Sequence, residues 1–190
     1  MLKRWREKSG FTLIEVLVVV AIIGIVGIIG GTVIISWIPT IRVNSAARDL
    51  VSEMQLARMN AVSERNDYVI TFDTTTHQYK VYDDGDNDGA EVSELIKTID
   101  VDSKYRGIQF GYVAGEIGTS GTAIAASVTF SSLNVTFEPN GKANKNGSIY
   151  LIPTEDIRPR RRDRQRAITV IQTGRIKLWK CYPGGSPLWR

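Results

Sequence analysis

Hydrophobic positions along this chain fall into three regimes. From Val16 to Ile35 (VLVVVAIIGIVGIIGGTVII) twenty residues carry no charge, and at about 1.5 Å rise per residue a helix of that length covers roughly 30 Å of hydrocarbon. The run predicts a membrane-spanning helix. From Ile41 to Arg65 apolar residues recur at Ala47, Leu50, Val51, Met54, Ala57 and Ala61, while Arg48, Asp49, Glu53 and Glu64 take other faces. That three-and-four spacing is the stripe of an amphipathic helix. The helix is expected to continue through Pro39, its stripe forming the spine of a folded domain.

Past Arg65 the period shortens. Strand-like runs occupy Tyr68–Phe72, Gln78–Tyr82, Leu95–Asp100, Ile108–Tyr112, Val128–Phe130, Val135–Phe137, Ser148–Ile152, Ala167–Ile171 and Ile176–Trp179. Clusters of Gly, Asn, Asp and Pro separate them, which predicts an antiparallel β domain. The stretch 115–127, rich in Gly, Ser, Thr and Ala, has few large apolar groups and reads as a mobile loop. The expected fold class is α+β: a long N-terminal helix, membrane-spanning in its first half, packed on an antiparallel β domain.

Composition then removes whole classes of function. A single cysteine, Cys181, and a single histidine, His77, exclude an internal disulfide and cysteine- or histidine-rich metal centres. His77 sits in the turn-like Thr74-Thr-Thr-His77-Gln, and no nucleophile elbow, P-loop or dinucleotide fingerprint accompanies it. No enzyme and no cofactor are expected. Cys181 reads as an unpaired thiol near an exposed terminus, able to form adventitious dimers.

The charge is strongly segregated. Residues 1–10 hold four basic and one acidic residue, net +3; residues 11–157 hold ten and eighteen, net −8; residues 158–190 hold ten and one, net +9. Lys3, Arg4, Arg6 and Lys8 precede the apolar run, so the positive-inside rule leaves the N-terminus cytoplasmic and sends the rest outward. A cleavable secretory signal would need a shorter apolar core and an A-x-A-like site, and neither is present.

The junction Lys8-Ser-Gly10-Phe11-Thr-Leu-Ile-Glu15 resembles the class III signal of type IV pilins and pseudopilins. The resemblance implies that a prepilin peptidase cuts between Gly10 and Phe11 and methylates the new N-terminus at Phe11. Glu15 also has a physical argument of its own. A carboxylate at the edge of a hydrocarbon segment costs a few kcal/mol, so it needs a partner or a place among headgroups. In the family's assembly model, Glu15 of an incoming subunit would neutralise the Phe11 amine of its neighbour.

The segment Arg48 to Arg65, the string Phe137-Glu-Pro-Asn-Gly141 and the hairpin Ile168-Thr-Val-Ile-Gln-Thr-Gly174-Arg175-Ile176 resemble the GspH/FimT branch of minor pilins. The resemblance implies a cleaved leader at 1–10, a transmembrane helix at 11–37, an amphipathic periplasmic helix at 38–65 and a GspH/FimT-like β domain at 66–190. It further implies a minor pseudopilin of the type II secretion system, building a pilus-like filament for protein secretion. A FimT-like minor type IV pilin that binds DNA for uptake is the alternative, and a tethered binding domain that never polymerises is another of a different class. The implied partners are prepilin peptidase, other minor and major pseudopilins, the inner-membrane assembly platform and, in the alternative, DNA. The implied location is the inner membrane, single-pass, with a periplasmic C-terminal domain.

Two clusters remain as chemistry. Asp84, Asp86 and Asp88 with Gly89 reproduce the first half of an EF-hand loop, but its twelfth position is Leu95, and Glu91 and Glu94 are out of register. A solvated turn explains these residues without metal, with calcium as the alternative. Arg158, Arg160, Arg161, Arg162, Arg164 and Arg166 fall within nine residues, with Pro153 ahead of the run and Pro159 inside it, and predict an exposed basic loop. With Arg175 and Lys177 alongside it, that loop would meet DNA phosphates, with Trp179 and Trp189 adding stacking. The other reading docks it on the acidic 83–94 region of a neighbouring pilin.

Overall fold

A computed structural model describes residues 10–86, 89–158, 160–184 and 188–190, with the side chains of 28–35 excepted. Its contacts divide the chain into two units, Met1–Ile38 and Pro39–Arg190. Helix α1 (Leu13–Glu64) contributes to both and contains Pro39. The expected helix through that proline is therefore present, although proline removes one backbone donor from the ladder.

In the first unit α1 starts at a cap. Thr12 accepts from the Val16 backbone N–H at 3.2 Å through its carbonyl, and from the Glu15 N–H at 3.3 Å through its hydroxyl. Thr12-Leu-Ile-Glu15 has the spacing of a capping box, and the Glu15 carboxylate lies in the first turn, where the helix dipole favours a negative charge. Leu13 and the Val and Ile side chains up to Val26 are exposed. Among the described residues no helix is long and apolar enough to cross a membrane. Part of the predicted Val16–Ile35 span, residues 28–35, lies outside the described side chains.

In the second unit the remainder of α1 carries the core. Val43, Ala46, Ala47, Leu50, Met54, Ala57 and Ala61 are all buried, and each large member contributes about 2 kcal/mol by leaving water. The four alanines let strands approach the helix closely. Strands β1 (Asp67–Asp73), β2 (Gln78–Asp84) and β3 (Leu95–Asp100) follow. Then come a five-residue helix α2 (Val101–Tyr105), β4 (Ile108–Phe110), β5 (Asn134–Phe137), β6 (Gly147–Pro153), β7 (Arg166–Val170) and β8 (Ile176–Lys180).

They form two four-stranded antiparallel sheets, ordered β3-β2-β1-β5 and β4-β6-β7-β8. Register follows the apolar alternation: Ile70 lies opposite Val81 and Val135, and Ile168 lies opposite Ile149 and Leu178. Phe72 of the first sheet meets Phe110 edge-on at 5.9 Å and stacks on Phe130 at 6.0 Å, joining the two sheets.

Three expectations change. Val128–Phe130 makes only an isolated bridge, Val128 to Ile149, and the chain then turns through Ser132 and Leu133 at φ 61° and 51°. A Cβ on Gly147 would lie 2.3 Å from the Phe130 ring, so this glycine is what admits the aromatic. The 115–127 loop is not loose: the Gly118 N–H donates to the Thr122 carbonyl at 2.7 Å, the Ile124 N–H donates to Glu116 at 2.8 Å, and Ile124 is buried. The small residues serve close approach, since a Cβ on Gly118 would fall 2.5 Å from the Tyr150 hydroxyl. Cys181 is buried rather than exposed. It lies with Ile124, Tyr150, Ala167 and Trp189 in a second small core on the outer face of the sheet, and burial pushes its thiol up to about 11.

Helix α2 is too short for a periodic pattern and rests on its cap. The Asp100 carboxylate accepts from the Ser103 N–H at 2.8 Å, and that bond holds the Asp100 carboxyl below the usual carboxylate range. A lowered folded-state value means that its stabilisation is present above the unfolded value and lost as pH falls through the folded one. Asp100→Ala is expected to cost about 1 kcal/mol near neutral pH. In urea titrations across acidic pH, the gap between wild type and variant should close as pH falls through and below the ordinary carboxylate range.

Candidate functional site

Two regions hold the residues singled out by sequence. The first is the N-terminal junction. Gly10 and Phe11 lie just ahead of the Thr12 cap, and Phe11 and Glu15 are exposed. The leader before Gly10 lies outside the described residues. The proposed scissile bond is thus two residues from the first residue of α1.

The second region is the basic C-terminal segment, residues 158–190, where the arginine run divides by burial. Arg158 and Arg160 are exposed, and among the described residues no carboxylate pairs with them. Arg161 pairs with Asp163 at 3.0 Å, and Arg162 reaches the buried Glu116 at 2.7 Å. Arg164 is buried, its Nη1 2.8 Å from Glu155 and its Nε 3.2 Å from the buried Asp156. Arg166 is buried too: its Nε donates to Asn44 Oδ1 on α1 at 2.7 Å, and Nη1 donates to the carbonyls of Asp163 and Gln165 at 3.0 and 2.9 Å.

The expectation of one exposed loop therefore holds only for its first part. An unpaired buried charge costs several kcal/mol, so Arg164 and Arg166 are tied inward by Glu155, Asp156 and Asn44 and face no external phosphate. Burial raises the Asp156 carboxyl, and the Arg164 charge opposes that shift.

Arg175 and Lys177 do not lie alongside the run either. In the β7–β8 ladder Arg166 is opposite Lys180, whereas Val170 is opposite Ile176. Arg175 consequently sits at the far end of the hairpin, about 3.3 Å further along for each residue. Arg175, Lys177 and Trp179 line one side of a shallow groove of about 160 Å³ with Thr169 and Ile171. The Lys177 ammonium lies 3.3 Å from the Trp179 ring centroid, and Trp179 Nε1 donates to Thr169 Oγ1 at 2.9 Å. Trp189 is buried and donates to the Ile117 carbonyl at 2.8 Å, so it offers no stacking face.

Two motifs that are distant in sequence meet here. The Gly141 N–H closes the Phe137–Gly141 turn on the Glu138 carbonyl at 2.8 Å, and the Gly174 N–H closes the β7–β8 turn on Ile171 at 2.8 Å. Arg58 of α1 donates Nε to the Gly141 carbonyl at 2.7 Å. A Cβ on Gly174, whose φ is +77°, would lie 2.1 Å from that same carbonyl and 2.7 Å from Arg58 Nε. The glycine before Arg175 is fixed by this close approach as well as by its left-handed backbone. Sequence reasoning had no signal for the partnership with Arg58.

At the acidic turn one oxygen each from Asp84, Asp86 and Glu94 lies within 4.8 Å of the others. Asp88 falls outside the described residues. Glu94, out of register in an EF-hand, thus joins the group through the fold. It also accepts from the Gly85 N–H at 3.2 Å, as Asp84 does from Gly89 at 3.3 Å. His77 closes its turn at φ 54°, half-buried, its ring 6.4 Å from Phe110.

The family model described as type II transport protein GspH matches residues 46–174, and the prokaryotic N-terminal methylation motif matches residues 5–31. The chain belongs to the GspH family, with the methylation motif at its N-terminal end, and its architecture is α+β. That family consists of structural proteins. Among solved structures the chain is similar to the minor pseudopilin EpsH of Vibrio cholerae, at 14% identity over 76% of this chain and 99% of that one with a TM-score of 0.49. It is also similar to the type IV minor pilin FimU of Pseudomonas aeruginosa, at 18% identity over 72% and 87% with a TM-score of 0.48. At these values neither similarity separates secretion from pilus. No curated protein matches the chain.

Gly174→Ala is expected to lower stability by about 3 kcal/mol, from positive-φ strain plus the clash with Gly141. Arg175→Ala, a change of an exposed side chain, should stay within about 0.5 kcal/mol of wild type. Urea midpoints of the two purified variants check the pair.

Proposed function

We propose that this chain is a minor pseudopilin of a type II secretion system, assembling into a periplasmic pilus-like filament. The family description of a type II transport protein supports secretion over a pilus. Prepilin peptidase would cut after Gly10 and methylate Phe11. Residues 11–37 would anchor the chain in the inner membrane, with 38–65 and the β domain in the periplasm. Glu15 would neutralise the Phe11 amine of a neighbour as subunits join major and other minor pseudopilins at the assembly platform. The role is structural, with no catalysis.

One observation carries assembly over a solitary tethered domain. In the second unit α1 is apolar on two faces. Its core stripe is covered by the sheets, yet Leu56, Met59 and Val62 stand on the outer face 50%, 67% and 49% exposed. Met59 and Val62, with Gln55, Arg58 and Ser63, border a concavity of about 470 Å³. A domain that never meets another helix has no use for that second stripe. Met59→Asp is expected to leave processing and membrane insertion intact while removing the chain from sheared filament fractions. Wild-type recovery of the variant in those fractions would refute assembly through this face.

The groove of Arg175, Lys177 and Trp179 favours a second reading, DNA contact by a type IV pilus component. It predicts binding by the detergent-solubilised chain that falls steeply with salt. Binding should be flattened by Arg175→Ala with Lys177→Ala and less affected by Arg158→Ala with Arg160→Ala. Equal loss from both pairs would leave only nonspecific basic attraction.

A further inference from the structure

Four strands end the two sheets, and they are not alike. The β5 edge is covered: the Thr136 N–H donates to Asn144 Oδ1 and Thr136 accepts from the Asn144 N–H, both at 3.0 Å, with Ala143 bridged to Phe137. The β4 edge is three residues long and uncharged. That leaves β3 and β8.

The β3 edge exposes apolar groups without an evident fold role. Val92, just before the strand, is 89% exposed and Ile96 is 55% exposed, with Leu95 beside them. Acidic residues flank this patch: Glu91 and Glu94 on one side, Asp83 near the end of the adjoining β2, and Asp100 at the strand's far end, while the one basic residue within β3, Lys97, is held by Glu53 of α1. The β8 edge is the complement. It carries Arg175, Lys177 and Lys180 and no acidic residue.

The backbone of β8 is also partly open. Lys180 exchanges two outward hydrogen bonds with Arg190, at 2.8 and 3.1 Å. By the two-residue repeat of an antiparallel ladder, Leu178 and Ile176 present their groups at that same edge. Among the described residues the returning C-terminal segment covers only Lys180 to Tyr182. Exposed edge strands are templates for pairing with another chain.

We propose that the acidic, apolar β3 edge of one copy receives the basic β8 edge of a second copy, joining the two domains by strand addition. Charge complementarity favours the pairing: β8 against β8 sets like charges side by side, whereas β8 against β3 places its lysines beside Glu91, Glu94 and Asp100. Because two different surfaces meet, the contact is heterologous and propagates head to tail instead of closing a dimer. This inference rests on the filament reading and extends it from the helix to the domain surface.

Thiol crosslinking in membranes expressing the full chain tests it. Ile96→Cys and Lys177→Cys chains are made separately and together, then treated with a short bismaleimide. The native Cys181 is buried and its thiol raised to about 11, so wild type is the unreactive control. The mixed membranes should give a dimer adduct about tenfold above either variant alone, and the adduct should fall as salt screens the charges. Adding Val92→Lys to the Ile96→Cys chain, an exposed change compatible with folding that puts a like charge against the basic edge, should remove the adduct. Equal adducts in single and mixed membranes, or none, overturn the proposal. If the same chains still enter sheared filaments, the filament reading survives and only the edge contact is lost.

Discussion

The inward stripe of α1 is the constraint on which the rest of the domain depends. Neither four-stranded sheet has a sufficient core of its own, and both send their apolar faces to Val43, Leu50 and Met54 between the small Ala46, Ala47, Ala57 and Ala61. An isolated helix gains little from propensity and is stabilised by such packing. Removing methylenes here would cost both the sheets and the helix, because cavities in a close-packed interior relax only partly. Phe72, set between Phe110 and Phe130, locks one sheet to the other above that stripe.

Polar contacts then fix how the outer layers sit. Arg58 and Arg166 are both arginines, but each serves as a tether. One ties α1 to the paired glycine turns and the other ties β7 to Asn44. Glu116 and Arg162 hold the 115–127 segment to the start of the basic C-terminal segment. Several basic residues that look like ligand-binding groups in sequence are therefore committed to internal structure, and those of the group that are exposed with no carboxylate partner among the described residues are Arg158, Arg160 and Arg175, with Lys177 half-buried over Trp179.

The helix and eight of the nine strand runs were legible because they rest on periodicity, which is local. The edges of β3 and β5 matched within a residue for the same reason. What sequence missed is nonlocal. The pairing of Gly174 with Gly141, the tether of Arg166 to Asn44 across more than a hundred residues, and the second core around Cys181 and Trp189 depend on where strands land. The charge run misled because the chain turns inward at Arg164 and stays buried into β7, and composition does not record which arginines have polar partners waiting. The junction Gly10-Phe11-Thr12 to Glu15 was readable as a motif, and its helix cap as well, since a capping box needs only four consecutive residues.

That cap bears on what processing would do to the helix. An uncleaved chain leads into Thr12 through a neutral peptide. Cleavage after Gly10 would set a cationic amine one residue before the cap, at the end of α1 where aligned peptide dipoles already repel positive charge by a few tenths of a kcal/mol or more. Glu15 lies in the first turn, three residues from Thr12, and offsets that repulsion. A mature subunit would thus carry an electrostatic imbalance that its precursor lacks, centred where the two charges of a neighbour's Phe11 and Glu15 could relieve it. Maturation would then act as a chemical timer, making the helix end adhesive only after the leader is gone.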